Sequence, residues 1–110
     1  MFPALNLYPQ GSSPQERLNA ALNTILNFRN KFGKEMYIPE FGLCSDNKGD
    51  VATVVEGIYA LVANGDNKIK SASQYAWSDK MDKSACKDGF GITNDNGVPY
   101  PEISAAYHKP

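Results

Sequence analysis

Glu40 closes a short apolar run, Tyr37-Ile38-Pro39-Glu40-Phe41-Gly42. A carboxylate at the end of a buried strand is costly to desolvate unless its charge is put to use, and reactive sites are one such use. Tyr8 ends a first apolar stretch, and Tyr75 and Trp77 end a third, with Asp79 two residues further on. A carboxylate beside a phenol and a broad aromatic surface suits sugar chemistry. The Glu40 carboxylate can attack an anomeric carbon, the Tyr8 phenol can orient it, and Trp77 can stack on the apolar face of a sugar ring. Tyr75 falls on the same strand face as Trp77, and Asp79 lies within reach of a sugar hydroxyl. Hydrolysis of a glycosidic bond normally needs a second carboxyl group to protonate the leaving oxygen. Each residue also has a plainer reading: Glu40 as a strand-end carboxylate capping a helix or pairing with a lysine, Trp77 as core, Tyr8 as packing, Asp79 as wet surface.

Three strands must place these groups. Residues 3–8 alternate apolar and polar side chains, as a strand does, and Pro9-Gln10-Gly11-Ser12 breaks the run. Ser13-Pro14-Gln15-Glu16 is a helix start, with Ser13 as cap, Pro14 in the first turn and Glu16 completing a capping box. Leu18, Ala21, Leu22, Ile25, Leu26 and Phe32 follow at helical spacing, so a helix is expected over 14–32, closed by Gly33. A second strand is expected over 35–41. Asp50 reads as the cap of a second helix over 50–64, whose Val51, Val54, Val55, Ile58, Leu61 and Val62 share one face. A third strand is expected over 68–77, a long Gly-, Asp-, Asn- and Lys-rich loop over 78–100, and a short helix over 101–108.

The order β-α-β-α-β-loop-α predicts an α/β fold of three βα units with parallel strands. Sites in such sheets form at the C-terminal strand ends, where Tyr8, Glu40 and Trp77 fall, one per strand. With 110 residues and a net charge of −1, the chain spans one domain or part of one and offers no basic footprint for nucleic acid or an anionic membrane surface. No apolar run reaches the length of a membrane-spanning helix, and no secretory leader is apparent in the first residues. Two cysteines and one histidine make no recognised metal-ligand spacing, so no metal is expected. Cys44 and Cys86 sit in the loops after the second and third strands, either as a disulfide stapling those loops or as free thiols.

The ordered set of motifs resembles the C-terminal part of clan A glycoside hydrolases, the (β/α)8 retaining enzymes that include cellulases and mannanases. Tyr37 to Gly42 is similar to the clan's seventh-strand motif, which carries the catalytic nucleophile, and the resemblance assigns that role to Glu40. Asn6-Leu7-Tyr8-Pro9 resembles the sixth strand, whose tyrosine hydrogen-bonds the nucleophile, and Gln74-Tyr75-Ala76-Trp77 resembles the eighth, whose tryptophan floors the sugar subsite. Gly89 to Pro101 is similar to the segment that precedes the last helix. By this resemblance the chain supplies strands six to eight, a carbohydrate is the substrate, no cofactor is needed, and the setting is extracellular. The clan's acid/base Glu follows an Asn on the fourth strand, and Asn-Glu occurs nowhere here, so that group is expected outside this chain. A barrel of this kind needs about 250 residues. The 110-residue chain alone is therefore expected to be inactive on glycans, and to associate with the remainder of a barrel or with itself. Its inner barrel face, Ile38 included, would otherwise be exposed. The alternatives are a non-catalytic carbohydrate-binding or degenerate barrel remnant, and an unrelated open α/β domain.

Overall fold

The computed structural model describes residues 4–33, 35–45, 47–76, 78–81, 83 and 86–107. Strand β1 (Ala4–Leu7), helix α1 (Pro14–Phe32), strand β2 (Met36–Phe41), helix α2 (Lys48–Ala63), a single 3₁₀ turn (Gly65–Asn67), strand β3 (Ile69–Gln74) and helix α3 (Pro101–Tyr107) follow in that order. The three strands form one sheet in the order β1-β2-β3, and both pairings are parallel. This is the α/β alternation that the sequence pattern predicts.

Each helix has a local reason to begin and end. Ser13 Oγ accepts from the Glu16 backbone N–H, Pro14 occupies the first turn, and Gly33 closes α1 with a left-handed φ of 62° and an N–H bond to the Arg29 carbonyl. The Glu16 carboxylate returns to Ser12, accepting from its backbone N–H at 2.8 Å and its hydroxyl at 2.7 Å. Those two bonds hold Glu16 below the usual carboxylate range. Helix α2 begins earlier than residue 50, because Asn47 is the cap. Its Oδ1 accepts from the Asp50 N–H at 3.1 Å, which places Asp50 inside the first turn, where its negative charge suits the helix dipole.

The core lies between the sheet and the helices. Ile25 of α1, Ile58 of α2 and Ile103 of α3 are fully buried against Met36 and Ile38 of β2. Burying one such side chain contributes about 1.5–3 kcal/mol. α1 and α3 both pack on α2. A methyl group at Gly57 would lie 2.3 Å from Leu18 Cδ2, so the absent side chain there lets α1 approach α2 closely.

Ile38 corrects one expectation. It is 0 % exposed and belongs to the helix-covered core, while Tyr37 and Pro39 beside it are exposed. The reason is an irregularity in β2. Three steps along β2, Tyr37 to Glu40, match two along β1, Ala4 to Asn6, and the three from Ile38 to Phe41 match two along β3, Ala72 to Gln74. β2 therefore holds one extra residue between Ile38 and Phe41, the arrangement of a β-bulge. Tyr37 and Glu40 share the open face with Ala4 and Asn6, and Met36, Ile38 and Phe41 share the helix face with Leu7.

Candidate functional site

The bulge decides where Glu40 points. In a regular strand residues two apart share a face, so Ile38 and Glu40 would both face the helices. The extra residue turns Glu40 to the open face at the C-terminal end of β2, opposite Asn6 of β1. Tyr8 follows the last residue of β1 and reaches across: its phenol donates to Glu40 Oε1. Thus a strand-end carboxylate and a phenol from the neighbouring strand meet in a partly buried pair.

Gly42 makes room for that contact. A Cβ at this position would lie 2.6 Å from Tyr8 Cε1 and 3.1 Å from the Tyr75 carbonyl oxygen, so the tyrosine ring lies directly over the glycine backbone. Gly42 N–H also donates to the Leu7 carbonyl at 3.0 Å, and Tyr75 N–H to that of Phe41 at 2.7 Å, continuing both ladders past the strands. Phe90 forms the opposite wall, its ring centroid 5.9 Å from Tyr8 edge-on and 5.6 Å from Tyr75. Tyr8, Tyr75 and Phe90 make one aromatic cluster above the sheet edge. Trp77 lies outside the described residues.

The segment after β3 is ordered by its own hydrogen bonds. Ala76 N–H donates to the Phe90 carbonyl, Ile92 N–H to that of Ala76, and Asp79 N–H to that of Thr93, so Ala76, Ser78 and Asp79 lie parallel to residues 90–93 in a short ladder. A turn at 94–97 then sends the chain back towards α3. The spacing of glycines in this stretch signals turns but carries no hint of that pairing.

Asp79 is buried at the centre of this segment, 3 % exposed. Its carboxylate accepts from the Gly91 N–H at 2.7 Å, from the Tyr100 phenol, and from Lys48 Nζ at 3.4 Å. Lys48, in the first turn of α2 and also buried, reaches the carbonyls of Asp88 and Gly89 at 3.4 Å and stands 4.8 Å from the Tyr100 ring centre. Burial and the Asp79 carboxylate push the Tyr100 phenol up to about 12. Three elements are therefore pinned at one buried ion pair: the start of α2, the long segment and the approach to α3.

Cys44 and Cys86 form a disulfide across a sequence separation of 42 residues, tying the loop after β2 to the long segment. Beside it is a hollow of about 350 Å³ lined by Tyr8, Pro9, Gln10, Arg17, Gly42, Cys44 and Phe90. Arg17, Lys48, Phe90 and Tyr100 carry no signal in the sequence that would single them out, because each is brought to the strand ends by contacts between distant segments. Among the described residues no group of three or more His, Cys, Asp or Glu side chains is placed to hold a metal ion. No helix among them is long and apolar enough to cross a membrane. Compared with protein families, with curated proteins and with solved structures, the chain matches none.

Proposed function

We propose that this chain carries the nucleophile half of a retaining glycosidase site, built into a (β/α)8 barrel of which it supplies the last three βα units. The observation that supports it is the hydrogen bond from the Tyr8 phenol to Glu40 Oε1 at adjacent strand ends. In this reading one Glu40 oxygen attacks the anomeric carbon from below while Tyr8 holds the other. The bond between that carbon and the leaving oxygen breaks, and a glycosyl ester on Glu40 results. Water then attacks the same carbon, and net retention follows from two inversions. No cofactor takes part. The leaving oxygen of a natural glycan is a poor anion and needs a proton, which an acid/base carboxyl outside this chain delivers. The isolated chain then forms no product from β-linked glycans, although its nucleophile is in place.

That separation of roles sets the test. In a 2,4-dinitrophenyl 2-deoxy-2-fluoro-β-glycoside the leaving group departs as a stable phenolate and needs no acid, while the fluorine slows hydrolysis of the ester. A panel with gluco, galacto, manno and xylo rings is incubated with the chain, and the digest is read by mass spectrometry. The expected outcome is a glycosyl adduct on the peptide containing Glu40, absent in Glu40→Gln and formed roughly ten- to a hundredfold more slowly in Tyr8→Phe, as loss of a hydrogen bond to a charged group would give. No adduct from any sugar would defeat the proposal.

The aromatic cluster of Tyr8, Tyr75 and Phe90 supports a second reading, a carbohydrate-binding module without chemistry. Glycan-dependent shifts of these rings with no Glu40 adduct would favour it.

A further inference from the structure

The hollow beside the Tyr8–Glu40 pair is lined by a cation that no charge among the described residues answers. Arg17 stands in the first turns of α1, half-buried, and its Nε donates to the Gly11 carbonyl at 3.1 Å. Arg17 lines the hollow, and the two terminal nitrogens of its guanidinium are hydrogen-bonded to nothing among the described residues. None of the ion pairs among those residues includes Arg17. Its neighbour Glu16 accepts both donors of Ser12 on Oε2, and no carboxylate among the described residues lines the hollow. The two buried charges of the described structure, by contrast, are paired: Lys48 and Asp79 satisfy one another at 3.4 Å.

The remaining walls are of two kinds. Phe90 offers an aromatic wall, and Gln10, whose Nε2 donates to the Tyr8 carbonyl at 3.2 Å, keeps its amide oxygen for a hydroxyl donor. A volume of about 350 Å³ is in the range of small-molecule sites. A rigid planar fork of N–H donors matches the two oxygens of a carboxylate. An aromatic wall and an amide acceptor match a sugar ring.

We infer that this hollow accepts a uronic acid unit, its carboxylate held in the Arg17 fork and its ring against Phe90, so that the substrate class of the neighbouring site is an acidic glycan. The inference rests on the glycosidase or glycan-binding reading above and names the substrate of that same site. A sugar bearing a sulfate ester shares the anionic oxygens but not the planar pair.

Amide chemical shifts of the ¹⁵N-labelled chain are followed as it is titrated with methyl β-glycosides in matched pairs that differ only at carbon six: glucuronide and glucoside, galacturonide and galactoside. The expected result is that a uronide binds about ten- to a hundredfold more tightly than its neutral partner, with shifts at residues 8–11, 17 and 42–44. Arg17→Gln should erase that preference. Arg17→Lys, which keeps the charge without the fork, should lose most of it, and it serves as the reporter should Arg17→Gln not fold. Equal binding of a neutral partner at the same residues overturns the acidic-substrate inference and leaves the glycan reading intact. Binding of neither member of a pair defeats both. Glucose 6-sulfate binding as tightly as the glucuronide overturns the uronate assignment in favour of a sulfated sugar.

Discussion

Gly42 has less freedom to change than any group that touches it. Its missing side chain leaves the space in which the Tyr8 ring lies, and an added methyl would sit 2.6 Å from that ring and 3.1 Å from the Tyr75 carbonyl. Gly42→Ala is therefore expected to push Tyr8 off Glu40 and to cost about 1–3 kcal/mol of overpacking. Its urea midpoint should fall, and its rate of labelling at Glu40 should drop to that of Tyr8→Phe. Tyr100 gives a pH prediction. Its phenol titrates at about 12 in the folded chain against 10.0 ordinarily. Between those values the unfolded chain has lost the proton and the folded chain keeps it, so stability falls as pH rises through that window. The urea midpoint should decline from pH 10 to 12 more steeply for the parent chain than for Tyr100→Phe. Glu40, Tyr8 and the cysteines were legible in the sequence because their chemistry is visible in their type and position. Arg17 and Lys48 were not, since a basic residue in a helix looks solvated until distant segments close over it.

At the scale of elements, the helices are written in apolar spacing and in their caps. Ser13, Pro14 and Gly33 mark α1 at both ends, and the valines of α2 keep one face despite their weak helix preference. Strand faces were less legible, because they depend on a bulge, and Pro39 was its only local sign. Residues 78–100 were legible as a long segment but not as a ladder, whose partners are backbone groups with no side-chain signature. The disulfide closes that ladder onto the loop after β2. With a sequence separation of 42 between its cysteines, a chain-entropy argument gives it about 4 kcal/mol of stabilisation. The Cys44→Ser, Cys86→Ser double variant, or the reduced chain, should lose stability of that order in urea unfolding. Phe90 should lose its fixed contact with Tyr8, read as a loss of near-ultraviolet dichroism.

At the scale of the molecule, one face of the sheet is covered by helices and the other presents Ala4, Asn6, Tyr37, Ser71 and Ser73. β1 and β3 are both edge strands, and an unpaired parallel edge is a template for another chain. We expect concentration-dependent association of the isolated chain, seen as a rising weight-average sedimentation coefficient. A constant monomer value across the accessible range would count against it.

In β2 folding and chemistry draw on different letters of the same six-residue word. Met36, Ile38 and Phe41 answer to the core, and Tyr37 and Glu40 to the open side. Removal of one codon at Pro39 would leave plain alternation, with Met36, Ile38 and Phe41 still on the core side, Tyr37 and Glu40 still on the open side, and Glu40 still opposite Asn6. Pro39 is thus the one letter of the word that neither face needs, whereas loss of any other would take a side chain from one face or the other.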